Sequence, residues 1–293
     1  PGLMLAPHLS ADGTLAIKKI PAGHPDWDTR DPRQARYLPS GELYLTSFSH
    51  LRLARSTDGV RFTVEPQPWV TPELPFESFG MEDARITCLG DTFYVNYTAV
   101  SPHGIATSLI TTPDFVHVQR LGLMFPPANR DVTIFPRRID GHYACYHRPM
   151  PGMFGTMGIW LATSPDMQYW GQHQTVLQTR MTGWDTGRVG GGAPPIWTEQ
   201  GWLSIYHAAD ERDHYRLGAF LTPHDEPGRI VAATEGAILE PQAPYETDGF
   251  FGNVVFTCGA LVIDGVLRVY YGAADECIAL AEVPLAALLD ALR

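Results

Sequence analysis

The sequence predicts an all-β fold, a five-bladed β-propeller with a short C-terminal helix, that spans residues 1–293 as a single domain. A turn residue followed by an alternating or apolar run rich in aromatic residues recurs five times, starting at residues 41, 91, 141, 201 and 265. A repeat of about 50 residues with three or four strands has the size of a propeller blade. A β-sandwich is the alternative, because its strands alternate in the same way.

Each repeat contains three strand-like segments in a fixed order. The first opens with polar or small residues: Asp31-Pro-Arg33, Glu82-Asp83-Ala-Arg85, Arg130-Asp131, Gly190-Gly-Gly192 and Gly252-Asn253. The second and third segments form predicted hairpins, which pair 41–48 with 51–56, 91–97 with 105–111, 141–146 with 158–163, 201–206 with 215–221, and 265–271 with 277–281. Residues 283–293 combine helix formers with apolar residues at helical spacing, which predicts the terminal helix.

A Ser/Thr-x-Asp turn follows the third segment in three repeats. These turns are Ser56-Thr-Asp58, Thr112-Pro-Asp114 and Ser164-Pro-Asp166. Short polar side chains and proline at these positions favour a tight turn.

Composition excludes several classes of function. The formal net charge of −11 disfavours a nucleic-acid partner, since phosphate backbones require an excess of Lys and Arg. The chain has no apolar run of membrane-spanning length and no leader-like N-terminus, which predicts no membrane partner and a cytoplasmic location. The four cysteines lack metal or redox spacing and are interpreted as buried free thiols. The histidines form no metal-binding pattern, so no metal and no cofactor are predicted.

In a propeller the innermost strands run beside the central axis, so we expect the polar residues that open them to lie close together. The densest group is Glu82, Asp83 and Arg85. Alternation places Asp83 and Arg85 on one face of the strand and Glu82 on the other. A carboxyl group in a closed pocket can act as a general acid, which glycosidic bond cleavage requires. The alternative is that Asp83 and Arg85 form an ion pair between blades.

A second group is positively charged and contains Arg130, His147, Arg148, Arg188 and His207. Arginine forks suit a tetrahedral oxyanion, and histidine adds a donor, so these residues indicate an anion site. Ordinary surface charge is the alternative.

The glycine-rich segment 190–195 lacks the Lys-Ser/Thr ending and the helix of a nucleotide loop, so its glycines are interpreted as positions of close backbone approach. Five aromatic residues lie near strand ends and could stack on sugar rings, although most aromatic residues in a β fold belong to the core. They are Trp184, Tyr206, Tyr245, Phe250 and Phe251.

Several motifs in order along roughly residues 40 to 282 resemble glycoside hydrolase family 130, the β-mannoside phosphorylases and β-mannosidases. They are Gly80-x-Glu-Asp-x-Arg85, Asn129-Arg-Asp131 with Phe135-Pro136, His147-Arg-Pro149, Trp184-Asp185, Gly190-Gly-Gly-Ala-Pro-Pro-Ile196, Gly201-Trp-Leu-x-Ile-Tyr-His207, Tyr215-x-Leu-Gly218, Asn253-Val-Val-Phe256 and Tyr270-Tyr-Gly-Ala-Ala-Asp275.

The resemblance implies a five-bladed propeller and a reaction that inverts the anomeric centre, with Asp83 as the general acid. It implies phosphate binding by Arg130, Arg148, Arg188, His207 and Tyr215, and binding of the mannosyl unit by Asp275. Asp31, Arg33, Glu82, Arg85, Asp131 and Tyr206 complete the predicted substrate-binding set. Inorganic phosphate is the implied co-substrate, and a mannose-containing oligosaccharide is the other partner, with a homo-oligomer compatible with the sequence.

The leading hypothesis is therefore inverting phosphorolysis of a β-mannoside to α-mannose 1-phosphate and a shortened sugar. Asp131 stands where many phosphorylases have asparagine, and its carboxylate would repel phosphate unless Arg148 or Arg188 compensates. This keeps an inverting β-mannosidase open, with Asp131 or Glu211 activating water. A non-catalytic carbohydrate-binding propeller is a third hypothesis, since Asp31-Pro-Arg33 departs from the family's Asn-Pro opening. The linkage and the acceptor sugar stay open.

Overall fold

The structure, a computed structural model, describes residues 2–292. Most of the regular structure in this part of the chain is β-strand, with two short α-helices, so the all-β class is confirmed. The chain forms two compact units. One contains the residues up to Ala84 together with Tyr97–Ala106, and the other contains Arg85–Asn96 together with the chain from Thr107 onward.

The first unit begins with short sheets. The hairpin of β1 (Leu3–Leu9) and β2 (Leu15–Pro21) was missed by the sequence analysis. A three-stranded sheet follows, made of β3 (Trp27–Asp28), β4 (Gln34–Tyr37) and β5 (Leu43–Leu45), and then the pair β6 (Ala54–Arg55) and β7 (Thr63–Val64). Their core is Ala6, Ile20, Ala35, Tyr44, Phe79 and Val100.

The predicted hairpin of the first repeat is wrong. The strand β5 pairs with β4, whereas β6 pairs with β7. The backbone N–H of Leu51 instead donates to the carbonyl of Val70 at 2.9 Å, which draws the second run away from the first.

The next two sheets have four strands each. One is made of β8 (Gly80–Leu89), β9 (Thr92–Ser101), β10 (Gly104–Thr112) and β11 (Gln119–Phe125), in sequential order. The other is made of β12 (Asn129–Ile134), β13 (Tyr143–Pro149), β14 (Ile159–Ser164) and β15 (Gly171–Leu177).

The last two sheets carry the remaining strands. Five strands form one sheet: β16 (Arg188–Gly191), β17 (Ile196–Thr198), β18 (Gly201–Ala209), β19 (Tyr215–Thr222) and β20 (Ala232–Ala233). After helix α1 (Pro244–Thr247) come β21 (Val255–Ile263), β22 (Val266–Ala273) and β23 (Cys277–Pro284), and helix α2 (Leu285–Ala291) follows. The predicted hairpins of repeats two to five, and the terminal helix, are therefore confirmed.

The three Ser/Thr-x-Asp turns are confirmed and share one hydrogen-bond pattern. In each, the hydroxyl accepts the N–H three residues later, and the aspartate Oδ1 accepts the N–H groups two and three residues after it. The hydroxyl partners are Gly59, Phe115 and Met167, at 2.8 to 2.9 Å.

A second repeated device was missed. Pro75-Phe-Glu77 and Pro244-Tyr-Glu246 each place a buried glutamate at a short helical turn. Oε2 of the glutamate accepts two backbone N–H groups, and Oε1 accepts the hydroxyl of a tyrosine on a later strand, Tyr97 or Tyr271. A Pro-aromatic-Glu motif, repeated in the sequence, was the available signal.

Three apolar clusters stabilise the second unit, centred on Leu203 and Leu267, on Phe135 and Tyr206, and on Ile134 and Met124. The four cysteines are free thiols, as predicted, and Cys145 is buried, but the predicted burial is wrong for Cys88 and Cys277, which are exposed, and Cys258 is only half-buried. No helix among residues 2–292 has the length and apolar character needed to cross a membrane.

Candidate functional site

A buried carboxylate, Asp131, lies at the centre of the positively charged group. It sits on β12 with φ of 56°, a left-handed conformation that aspartate tolerates better than most residues. The pairing of β12 with β13 shifts between Arg130 and Thr133, so the strand bulges at this position. The side chain of Asp131 is fully buried.

Four basic side chains surround this carboxylate. Its Oδ2 lies 2.9 Å from Nη2 of Arg148 and 3.2 Å from Nε2 of His207. Its Oδ1 lies 3.4 Å from Nε of Arg130 and 3.5 Å from Nη2 of Arg85. The structure thus brings together five of the residues predicted from sequence.

The titration behaviour of this cluster follows from burial and charge. Burial alone would raise the pKa of the Asp131 carboxyl, but Arg148, His207 and Arg130 hold it well below its usual range. Burial lowers the pKa of His207 to about 4, although Asp131 opposes the shift. At neutral pH the cluster therefore contains an ionised carboxylate and a neutral imidazole.

Arg85 is anchored by the glycine-rich segment. Its Nε donates to the carbonyl of Gly192 at 3.0 Å, and its Nη2 donates to the carbonyl of Gly191 at 2.9 Å. Its guanidinium carbon lies 5.7 Å from the centre of the Phe256 ring. The guanidinium is 1% exposed, so these contacts fix its position.

The backbone at Gly190 lies so close to neighbouring side chains that only glycine fits there, as the sequence analysis predicted. Gly190 pairs with His207 across β16 and β18. A Cβ there would lie 2.6 Å from Nε2 of His207 and closer still to the Asp131 carboxylate. Any side chain would therefore displace the central ion pair.

Arg188 and Tyr215 form a neighbouring pair. Nε of Arg188 donates to the Tyr215 hydroxyl at 2.8 Å, and its Nη2 pairs with Asp213. Burial would lower the pKa of Arg188, but Tyr215 and Asp213 raise it overall. Asp213 was missed, because nothing in the sequence distinguishes it from other acidic loop residues.

Aromatic rings connect this pair to the cluster. The His207 ring lies 4.4 Å from Phe256 and 6.0 Å from Tyr215. Phe256 also lies 6.0 Å from Tyr215. Phe256 was part of a recognised motif but had no predicted role.

His147 lies beside the cluster on the same strand as Arg148. Its Nδ1 is 2.9 Å from Nδ2 of Asn129, and its Nε2 is 3.1 Å from Nδ1 of His173. The ring stacks on Phe125 at 4.5 Å. Burial lowers the pKa of His147 to about 3, so this histidine is neutral at pH 7.

Asp83 and Glu82 are half-buried on β8, in the part of that strand assigned to the first unit. Asp83 has φ of 53°, so a left-handed residue interrupts the strict alternation on which its predicted face depended. Asn253, which opens the last repeat, has φ of 61°. Asp83, Asp131 and Asn253 thus share one unusual conformation at the openings of three repeats.

The other predicted sugar ligands have varied environments. Asp31 and Arg33 form a bidentate ion pair with each other, at 2.9 and 3.0 Å, which lowers the pKa of Asp31. Asp275 is exposed in the turn between β22 and β23, with φ of 52°. Tyr206 is 2% exposed and stacks on Trp184 at 5.7 Å, and burial raises its pKa to about 12. It belongs to an apolar cluster rather than to the exposed surface.

Of the other aromatic candidates, Tyr245 and Phe250 are exposed, whereas Trp184 and Phe251 are half-buried. Among residues 2–292 no group of three or more His, Cys, Asp or Glu side chains is arranged to hold a metal ion.

Residues 42–293 match a family model, glycoside hydrolase 130, described as beta-1,4-mannooligosaccharide phosphorylase. The chain is 42% identical over 296 residues to a beta-1,2-mannobiose phosphorylase of Listeria innocua, covering 100% of this chain and 83% of that protein. It is 37% identical over 236 residues to a 1,2-beta-oligomannan phosphorylase of Thermoanaerobacter sp., covering 80% of this chain and 78% of that one.

A solved structure of the Listeria innocua phosphorylase, in complex with beta-1,2-mannobiose, superposes with a TM-score of 0.96. The superposition covers 99% of this chain and 83% of that one.

Proposed function

Since the chain belongs to glycoside hydrolase family 130, we propose that it is an inverting phosphorylase that cleaves a β-mannoside with inorganic phosphate. The products are α-mannose 1-phosphate and the shortened sugar. The proposal is supported by curated phosphorylases among its relatives and by the charge of the cluster around Asp131.

The concentration of arginine side chains in that cluster is the observation that carries the proposal. Arg85, Arg130 and Arg148 bring three guanidinium groups to the one carboxylate of Asp131, and Arg188 lies beside Tyr215. Nε and Nη1 of Arg148 are buried and have no hydrogen-bond partner within the described part of the chain. A buried donor requires a partner, and a phosphate dianion with its several acceptor oxygens suits arginine forks.

The neighbouring arginines also offset the negative charge of Asp131. A lone carboxylate would repel phosphate, but Arg148 lies 2.9 Å from it and two further arginines lie within 3.5 Å. Arg130 and Arg148 are directly opposite each other on β12 and β13, where like charges repel unless a carboxylate lies between them. We infer that Asp131 supports the anion site.

The proposed ligands of phosphate are Arg130, Arg148, Arg188, His207 and Tyr215. Asp31, Arg33, Glu82, Tyr206 and Asp275 stay predicted substrate-binding residues, while Arg85 and Asp131 act by holding the cluster together. Asp83 is the proposed general acid. Its left-handed backbone supports this role, since sparsely populated conformations concentrate at functional sites.

In the proposed reaction, an oxygen of phosphate attacks the anomeric carbon from the face opposite the glycosidic bond. The bond between that carbon and the leaving oxygen breaks as the new carbon–oxygen bond forms. A proton from Asp83, passed through a mannose hydroxyl, neutralises the leaving oxygen. The anomeric configuration inverts from β to α.

For the substrate, we propose a β-1,2-linked mannoside as the first compound to test. The whole chain aligns with a relative named for β-1,2-mannobiose, and another relative is named for 1,2-β-oligomannan. A β-1,4-linked manno-oligosaccharide is the comparison substrate, since the family description names that linkage.

We also propose that the sheets form one five-bladed propeller domain over residues 1–293. The hairpins of repeats two to five support four similar units, and the Pro-aromatic-Glu device recurs before two of them. Inorganic phosphate is the only co-substrate in this proposal. A homo-oligomer and a cytoplasmic location stay predictions from the sequence.

Hydrolysis by an activated water receives less support. The side chain of Asp131 is fully buried and ionised among three arginines, whereas a base must reach water. Glu211, the other candidate base, is exposed between β18 and β19.

Phosphate dependence tests the proposal. Purified protein is incubated with β-1,2-mannobiose with and without phosphate, and mannose 1-phosphate and free mannose are quantified. Equal mannose release in both conditions, without mannose 1-phosphate, would show that the protein is a hydrolase. No turnover of β-1,2- or β-1,4-linked mannosides in either condition would favour the hypothesis of a non-catalytic carbohydrate-binding protein.

A further inference from the structure

We propose that Asp131 holds His207 in the tautomer whose Nδ1 is a hydrogen-bond acceptor, so that the site takes a protonated oxyanion such as hydrogen phosphate and discriminates against sulfate. This inference rests on the proposed function, because it defines the ionic form of the co-substrate. It changes the expected role of His207, which was predicted from sequence as an additional donor.

The tautomer follows from the contact between His207 and Asp131. Nε2 of His207 lies 3.2 Å from Oδ2 of Asp131. Arg148, His207 and Arg130 lower the pKa of Asp131 and thereby favour its ionised form, and an ionised carboxylate can only accept hydrogen bonds. Two lone pairs would repel each other at this distance, so Nε2 carries the hydrogen.

The imidazole is also neutral at pH 7. The charged and titratable groups that surround the ring are Asp131 on β12, Arg148 on β13, Arg85 on β8 and Tyr215 on β19. Phe256 covers the ring from β21. Burial, with Arg148 and Arg85, outweighs the attraction of Asp131 and lowers the pKa to about 4. A neutral imidazole with hydrogen on Nε2 has a bare lone pair on Nδ1.

Both ring nitrogens are buried, and neither makes a regular hydrogen bond within the described part of the chain; Nε2 faces the Asp131 carboxylate at 3.2 Å, and the lone pair on Nδ1 is left unsatisfied. A buried acceptor without a donor is unfavourable, so we expect a ligand donor to satisfy it. A protonated oxygen of phosphate is such a donor. The oxygen that attacks the anomeric carbon must be deprotonated, so this contact would keep the proton on an oxygen that does not react.

Phosphate and sulfate are similar in shape and differ in protons. Hydrogen phosphate keeps an O–H group throughout the neutral pH range, whereas sulfate has none. A site that requires a donor from its ligand rejects an analogue without one, since the buried polar group stays unpaired. Sulfate would also place an oxygen lone pair against Nδ1.

The test is calorimetric titration of the wild-type protein with inorganic phosphate and with sulfate, at pH about 7 and about 5. At the higher pH we expect phosphate to bind on the order of 100-fold more tightly than sulfate. At the lower pH the ratio should fall, because a fraction of His207 gains a proton and Nδ1 becomes a donor. Affinities within about threefold of each other at pH 7 would overturn the inference.

Asp131→Asn gives a second test, because the asparagine amide can donate to Nε2 and release the tautomer. We expect the ratio of the affinity for phosphate to the affinity for sulfate to fall by about tenfold or more, a change of about 1.4 kcal/mol. Asp213→Asn is the matched control. It removes an equal charge beside Arg188 without contacting His207, so it should change both affinities and leave their ratio unchanged.

The two results can be separated from failure of the proposed function. If phosphate-dependent turnover occurs but sulfate binds as well as phosphate, only the inference about His207 is wrong. If phosphate binds selectively but mannose 1-phosphate never forms, only the proposed reaction is wrong. If Asp131→Asn does not fold, the comparison of the two anions at two pH values in the wild type still tests the inference about His207.

Discussion

The guanidinium groups of Arg148 and Arg130 belong to residues that face each other across β12 and β13, and both contact the carboxylate of Asp131. Like charges opposite each other in a sheet are destabilising, so the pair depends on the carboxylate between them. This dependence makes the anion site sensitive to substitutions that would be mild on the surface.

Asp83→Asn should lower kcat for phosphorolysis by about 10²–10⁴-fold, because the amide cannot donate the proton that the leaving oxygen requires. Substrate binding should persist, which calorimetry with β-1,2-mannobiose would detect. The matched control is Asp264→Asn, since Asp264 has φ of 50° and is exposed in the turn after β21. Full activity of Asp83→Asn would show that Asp83 is not the general acid.

Asp131→Asn should destabilise the protein by about 3–5 kcal/mol, since it leaves buried guanidinium groups without their counter-charge. Urea unfolding measures this change. The control at the partly exposed ion pair of Arg188, Asp213→Asn, should lose about 1 kcal/mol or less. A variant as stable as the wild type would show that Asp131 does not hold the arginines together.

Arg188→Lys should weaken phosphate binding by about five- to tenfold, because lysine cannot contact Tyr215 and Asp213 with two nitrogens at once. The KM for phosphate should rise while the KM for the sugar changes little. Tyr215→Phe serves as the comparison, since it removes only the hydroxyl that accepts from Nε. An unchanged KM for phosphate in both variants would place Arg188 outside the anion site.

Gly190→Ala should abolish activity and destabilise the protein by about 1–3 kcal/mol or more, since the new methyl group would overlap the Asp131 carboxylate and the His207 ring. Thermal unfolding and turnover measure the two effects. Gly236→Ala is the control, because a Cβ there meets no atom within 4 Å. Normal activity of Gly190→Ala would mean that the central ion pair can move freely.

The free energy of unfolding should decrease as the pH falls from about 6.5 to about 4. Burial lowers the pKa of His207 to about 4, so in this window the unfolded state binds a proton that the folded state excludes. Stability is therefore present above the unfolded pKa and is lost as the pH falls, by up to about 3 kcal/mol for this group.

His147, with its pKa lowered to about 3, changes stability in the same direction. His207→Phe should flatten the pH dependence of urea unfolding relative to the wild type. An equally steep dependence in the variant and in the wild type would contradict the assignment of a neutral His207.

Much of the fold was predictable because its signals are local. The hairpins of repeats two to five depend on alternation and turn residues within about 20 positions, and the Ser/Thr-x-Asp turns depend on three. The hairpin predicted for the first repeat is wrong because Leu51 pairs with Val70, a partner that no local pattern indicates. The side of the strand on which Asp83 lies could not be predicted from alternation either, because its left-handed backbone interrupts the alternation.

By itself the sequence determined the repeat, the all-β class, the family motifs and the residue types that an anion site requires. Only the tertiary structure decided which of those residues meet. Arg85, Asp131, Arg148 and His207 are far apart in the chain, and their contacts depend on a bulge in β12 and on the missing side chain of Gly190. The tautomer of His207 was decided at the same level, because a proton's position depends on the neighbour across the contact rather than on the residue that carries it.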